Sequence, residues 1–236
     1  MNALLSRRDF IKAGGALVVG FSLAGAASGQ QVAAVEKAIG KTLDPNEVDG
    51  FLAIGADGGV TVYCGKVDLG QGLRIAIRQM VAEELGCGLD RIEMVEGDTA
   101  LTPDQGPTAG STGVMRGGVQ IRQAAATARE ALLGFAAERL GKNRTELEIA
   151  TNEVRSKSSG AGIGFGALVG DRHFGLKLDP KAPLKDPATY TVVGKPLPRP
   201  DVPAKVTGGH RFVHDIALDG MMHGCVVRPP AMGAKL

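Results

Sequence analysis

Tryptophan is absent, tyrosine occurs twice and phenylalanine seven times, so aromatic residues make up only 4% of the 236 residues. The formal net charge is +2. With no basic stripe interleaved with aromatics, the composition argues against a nucleic-acid partner. Cysteine is scarce as well. Cys64, Cys87 and Cys225 lie far apart. No two have the spacing to hold zinc or an iron–sulfur cluster from this chain alone, and the odd count argues against a disulfide framework. The apolar run Ala13 to Ala27 is diluted by Gly14, Gly15, Gly20 and Gly25. It is too short to cross about 30 Å of hydrocarbon as a helix. Standard nucleotide loops are missing too. There is no Gly-Lys-Ser/Thr, and Gly70-x-Gly72-x-x-Ile75 lacks the third glycine of a dinucleotide fingerprint.

What is present is an ordinary globular balance, 44% hydrophobic and 22% charged, in a chain long enough to bury one large core or two small ones. The 35 glycines have no three-residue period, so they predict turns and close backbone approaches, not collagen. The chain opens Ser6-Arg7-Arg8-Asp9-Phe10-Ile11-Lys12, then the apolar run, then the small-residue exit Ala24-Gly25-Ala26. This pattern predicts a signal peptide over residues 1–27. The paired arginines mark the twin-arginine route, with export to the periplasm as the expectation. That route carries folded proteins, which suits a cofactor inserted before export. Residues 28–48 read as a polar leader with a short helical stretch near Val32 to Ile39.

Phe51 to Gly55 and Val60 to Gly65 read as two strands of a hairpin across the turn Ala56-Asp57-Gly58-Gly59. Leu73, Ala76, Ile77, Met80, Val81 and Leu85 recur at helical spacing and predict a helix over Leu73 to Gly86. Arg91 to Glu96 alternates as a half-buried strand should. A second helix is expected over about Met115 to Leu140, with Ile121, Ala125, Ala128, Leu132, Ala136 and Leu140 as its buried stripe. Residues 145–155 resemble a hairpin, and Phe165 to Val169 a short helix. Residues 178–200 are proline-rich and are expected to wrap the surface, since prolines at 196, 198 and 200 exclude a central strand. Phe212 to Ile216 and Gly224 to Arg228 look like strands of a second unit.

Two loops stand out as a candidate site. Leu69-Gly70-Gln71-Gly72 opens the first helix, and Thr108-Ala109-Gly110-Ser111-Thr112-Gly113 opens the second. Free amides at a helix start, with the helix dipole behind them, receive anions such as phosphate. Glycine permits close approach, Gln71 offers both a donor and an acceptor, and Ser111 and Thr112 carry hydroxyls. On composition alone both loops are equally plain helix starts. Asp68 and Asp98 flank them, either as tuned acids or as turn formers.

Taken in order, Lys66-Val67-Asp68-Leu69-Gly70-Gln71-Gly72, Val81-Ala82-Glu83-Glu84-Leu85-Gly86, Gly97-Asp98-Thr99 with Thr102-Pro103, and Pro107-Thr108-Ala109-Gly110-Ser111 resemble the xanthine dehydrogenase and aldehyde oxidase family. The series most resembles the beta subunit of the isoquinoline 1-oxidoreductase kind. Asp201 to Gly208, followed by His214-Asp215-Ile216 through Arg228-Pro229-Pro230, looks like the entry to that family's hammerhead domain. The resemblance implies an α+β fold: a molybdopterin-binding domain with a mixed sheet and two packed helices over residues 49–177, a connector over 178–200, and a partial α/β hammerhead domain over 201–236. It implies that Gly70, Gln71, Gly72, Ala109, Gly110, Ser111 and Thr112 bind a molybdopterin cofactor shared with a C-terminal remainder of the subunit. The family hydroxylates an N-heterocycle or aldehyde with water as oxygen source, and its electrons leave through a small partner subunit that carries the iron–sulfur clusters. Twin-arginine export machinery is the other implied partner.

The sequence departs from the family in length. The loop near the metal and the catalytic glutamate would lie beyond residue 236, and Phe165 between Gly164 and Gly166 does not match that loop. No catalytic residue is assigned, and the chain is expected to be inactive alone. His210 and His214 are four apart but sit in a β-like segment, which favours structural histidines over a metal pair.

Overall fold

Val60-Thr61-Val62-Tyr63-Cys64 places its branched residues at alternating positions, as a strand with one buried face requires, and it becomes the central strand of the first sheet. The computed structural model describes residues 42–170 and 173–234. The expected signal peptide, most of the leader and the helical stretch near Val32 lie outside the described residues. The chain divides into two units after Val202.

In the larger unit, β1 (Leu52–Ile54) and β2 (Val60–Cys64) pair antiparallel, with Ala53 opposite Thr61. The turn between them is fixed by Gly58 at φ 79° and by the Gly59 amide, which donates to Asp57 Oδ1 at 2.9 Å. β3 (Ile92–Glu96) lies parallel to β2, with Val60 opposite Ile92, so the sheet is mixed, in the order β1-β2-β3. A parallel pair needs a crossover, and α2 (Leu73–Leu85) supplies it. A four-residue helix, α1 (Val48–Phe51), precedes β1. Val48 is fully buried, and its amide donates to the Leu176 carbonyl at 2.9 Å.

The second long helix, α3 (Val119–Leu140), starts later than its sequence pattern suggests. A π turn over Gly113–Gly118 precedes it. Glycine makes the wide turn fit: a Cβ on Gly117 would come 2.6 Å from Lys66 Cγ. Ile121, Ala125, Ala128, Leu132 and Ala136 are buried as the stripe predicts. The alanines let α3 pack closely against α2. A second sheet follows, all antiparallel: β4 (Leu147–Ala150), β5 (Glu153–Ser156) and β6 (Gly162–Gly164). Thr151 and Asn152 both take positive φ in its two-residue turn. α4 (Phe165–Leu168) buries Phe165 completely, as a core residue.

Residues 178–201 form a strap without a strand, as the prolines require, but they belong to the same unit as the body. Amides with no sheet partner need other acceptors, and two buried carboxylates of α2 supply them. Glu83 Oε2 accepts from the amides of Thr191, Val192 and Val193 at 2.9, 2.7 and 3.0 Å. Glu84 accepts from the Lys185 amide at 3.2 Å, and it also pairs with Arg122 at 2.7 Å and Arg129 at 2.6 Å, both from α3.

Beyond Val202, the strands expected at Phe212–Ile216 and Gly224–Arg228 do not form. The described residues there hold the end of a short helix, α5 (Val202–Val206), and a single 3-10 turn at Val213–Asp215. Alternation alone cannot make a strand. Without a paired neighbour the backbone groups stay with solvent, and Val213, Met222, Val226 and Val227 are all largely exposed. Among the described residues no helix is long and apolar enough to cross a membrane.

Candidate functional site

The end of β2 leads directly into the first loop, residues 66–72. Asp68 organises it. Its Oδ1 accepts from the amides of Gly70 (2.8 Å) and Gly72 (3.2 Å), and its Oδ2 from that of Arg74 (3.1 Å). Three amides around the start of α2, expected from sequence to be open to a ligand, are therefore taken by the chain's own carboxylate. Desolvation opposes ionisation of Asp68. The three amides, Arg74 first, outweigh it with help from Arg199, and hold the carboxyl below its ordinary range. Gln71 also works inside the loop: its Oε1 accepts from the Leu69 amide at 2.6 Å, and its Nε2 donates to the Val67 carbonyl at 3.1 Å. One proton of Nε2 remains for another acceptor. Glu96, at the end of β3, pairs with Arg74 and accepts from the Asp68 amide at 3.3 Å. From the strap, Arg199 donates to the Gly70 carbonyl at 2.5 Å.

A direct test of Asp68 follows. Asp68→Ala leaves three amides unpaired and is expected to lower stability by about 1–2 kcal/mol at pH 7. Because the folded-state pKa is depressed, this contribution is present above the unfolded value near 4 and is lost as pH falls through the lower folded value. Thermal melts of the two proteins should differ at pH 7 and converge once the pH has fallen below the depressed folded value. A gap that persists in acid would contradict the capping role.

The second loop, residues 104–112, is held from below by Lys66. This lysine is only 2% exposed. Its Nζ donates to the carbonyls of Gly106 (3.1 Å) and Pro107 (2.7 Å) and to Thr112 Oγ1 (3.3 Å). Gln105 adds a second tie: its Oε1 accepts from the Gly65 amide at 2.9 Å, and its Nε2 donates to the Gly117 carbonyl at 3.1 Å. Thr108 Oγ1 accepts from the Val67 amide at 3.0 Å, joining the two loops. Gly110 takes φ 56° and Ser111 φ 62°. For serine that is a strained backbone. Among the described residues, the amides of Ala109, Gly110 and Ser111 have no acceptor.

The two loops face one cavity of about 380 Å³, within the range of small-molecule sites. Gln71 and Gly72 line it from one side, and Ala109, Ser111 and Thr112 from the other. Gly70 and Gly110 do not line it, although a Cβ on either would meet nothing within 4 Å. Among the described residues, no ionisable side chain lines the cavity. Apart from Thr108 the remaining wall is apolar, and its rim includes Leu69 and Val114, 73% and 47% exposed. Sequence reasoning missed Lys66 as a buried residue, because lysine reads as surface; its place at the head of the glutamine loop was the only signal.

The other candidates resolve simply. Asp98 is a turn former, accepting from the Ala100 amide at 2.8 Å. His210 stacks edge-on against Phe212 at 4.6 Å, and no metal-ligand cluster exists among the described residues. All three cysteines are free. Burial pushes the Cys64 thiol up to about 11 and the Cys87 thiol up to about 12, which leaves both inert. A smaller hollow of about 200 Å³ beside Phe135, Arg139 and His173 contains none of the loops.

A family model described as the molybdopterin cofactor-binding domain matches residues 8–211. One of the subunits of nicotinate dehydrogenase from Pseudomonas putida is 42% identical over 199 residues, 84% of this chain and 17% of that protein. The beta subunit of isoquinoline 1-oxidoreductase from Brevundimonas diminuta is 28% identical over 271 residues, covering 97% of this chain and 34% of that protein. The chain thus spans between 17% and 34% of the length of these relatives. Among solved structures, a reconstituted CO dehydrogenase from Oligotropha carboxidovorans aligns over 50% of this chain and 15% of that one, at 27% identity and a TM-score of 0.46. Quinoline 2-oxidoreductase from Pseudomonas putida 86 aligns over the same shares at 26% identity and a TM-score of 0.43.

Proposed function

Since the chain belongs to the molybdopterin cofactor-binding domain family, we propose that its cleft holds the phosphorylated pterin of a molybdenum cofactor, with Gln71 and Gly72 on one side and Ala109, Ser111 and Thr112 on the other. The observation that carries this reading is the shared cavity, with three successive open amides on the loop that forms its second wall. The residues fit the group. Open amides suit an anion, the apolar wall suits a flat ring face, and the spare Gln71 proton suits a ring acceptor. Gly70 and Gly110 leave the backbone near the cleft uncovered. When bound, the cofactor supplies the two-electron redox chemistry and the activated oxygen of the reaction. This chain's residues bind and orient it. No ionisable side chain in the cavity moves a proton, so the general base is assigned to a C-terminal remainder of the subunit.

The reaction we assign to the whole assembly is hydroxylation of an electron-poor carbon in an N-heterocycle or aldehyde, with water as oxygen source. The names of the two relatives, a nicotinate dehydrogenase and an isoquinoline oxidoreductase, support a heterocyclic substrate. Iron–sulfur clusters are assigned to a separate small subunit, in keeping with the scatter of the three cysteines. Arg7-Arg8 and the apolar run after them support twin-arginine export to the periplasm, and residues 201–236 are read as the opening of a hammerhead domain. The chain by itself is inactive in this scheme.

The test is co-expression with the C-terminal remainder and the small subunit, followed by metal analysis and oxidative release of fluorescent pterin. Stoichiometric molybdenum and pterin are expected. A folded complex that carries neither would make the chain a non-enzymatic exported binding or assembly module.

A further inference from the structure

Lys66 is buried beneath the second loop, yet its three hydrogen bonds all go to neutral oxygens. Glu96, an acid whose field reaches the same strand end, is already paired with Arg74 and the Asp68 amide. A buried ammonium ordinarily sits against a carboxylate. Here, among the described residues, Lys66 forms no ion pair, and its charge lies one residue behind the cleft. Thr112 connects the two: its hydroxyl receives the Lys66 proton at 3.3 Å, and the residue lines the cavity. The open amides of Ala109, Gly110 and Ser111 sit on the same loop. The buried charge therefore lacks a counter-ion on the side where a ligand would enter.

We infer that Lys66 is a positioning residue that makes the cleft selective for the phosphorylated form of its pterin over the dephosphorylated form. It does so in two ways. Its hydrogen bonds fix the carbonyls of Gly106 and Pro107 at the base of the loop that carries the three open amides. Its unpaired charge favours an anion over a neutral ligand of the same shape. Through an effective dielectric of about 20, a unit charge within about 12 Å changes anion affinity by about tenfold or more. This inference rests on the proposed pterin site and adds what that site discriminates.

The experiment titrates the 236-residue chain, by fluorescence, with a stable oxidised pterin monophosphate and with the same pterin after phosphatase treatment. The absence of tryptophan leaves the pterin emission unobscured. Lys66→Arg, Lys66→Gln and Lys66→Met are measured alongside, with folding checked by circular dichroism, so that one folded neutral variant suffices. The wild type should prefer the phosphorylated form by about tenfold or more. Lys66→Arg should keep the preference, and the neutral variants should lose it while still binding the dephosphorylated pterin. Equal weakening of both forms in a neutral variant would reduce Lys66 to a structural prop and overturn the inference, as would a wild type with no preference. Failure of the wild type to bind either form would instead remove the pterin site itself, and the inference with it.

Discussion

Glu84→Ala is expected to destabilise the protein by about 3–5 kcal/mol, the usual cost of removing one partner from a buried ion pair. Glu84 is fully buried on α2. It faces Arg122 and Arg129 of α3 at 2.7 and 2.6 Å and also accepts from the Lys185 amide of the strap. Truncation removes the buried counter-charge that Arg122 and Arg129 share, leaves Arg129, only 11% exposed, with Glu130 alone at 3.6 Å, and frees the strap at one anchor. The melting temperature should fall by about 10 °C, at about 2–4 °C per kcal/mol for a domain of this size. A circular-dichroism melt measures it. Glu84→Gln keeps the shape and should recover only part of the loss. A variant within about 0.5 kcal/mol of wild type, the range of ordinary surface changes, would contradict this role.

Gly65→Ala should have the second large effect, and it should fall on the site. Gly65 directly follows β2 and precedes Lys66. A Cβ there would lie 2.1 Å from the Pro103 carbonyl oxygen and 3.2 Å from the Gln105 nitrogen. Both are backbone atoms, so the segment that leads into the second loop must move. Its displacement breaks the bond from the Gly65 amide to Gln105 and shifts the carbonyls that Lys66 holds. Overpacking of this kind costs about 1–3 kcal/mol. Pterin affinity should drop at least about tenfold, equivalent to about 1.4 kcal/mol, in a protein that still folds. Unchanged affinity would mean that the second loop tolerates displacement and does not shape the cleft.

The elements around the site were legible because their patterns are local. The stripe from Leu73 to Leu85 and the alternation in Val60–Cys64 each carry their own period, and both formed as read. Gly70 through Gly72 and Ala109 through Thr112 were recognisable from the order of their motifs, and the fold brings most of them to one cavity. What was hidden depends on partners distant in sequence. β6 consists of two glycines and an isoleucine, with no side-chain pattern, and exists because it pairs with β5. Glu83 and Glu84 lie outside the apolar stripe of their helix, yet both are buried, because the strap brings amides to them. Asp68 reads as a turn residue, and nothing in the sequence says that it fills the helix start assigned to an anion. Phe212–Ile216 and Gly224–Arg228 failed in the opposite direction: their alternation is strand-like, but pairing decides whether a strand forms.

The central claim is that two loops grip one ligand, and hydrogen–deuterium exchange on the 236-residue chain tests it most directly. Adding pterin monophosphate should slow exchange in residues 66–73 and 105–114 together, over one and the same concentration range, with the amides of Ala109, Gly110 and Ser111 among the most protected. Protection of only one loop, or of neither while the ligand binds elsewhere, would contradict the shared cleft.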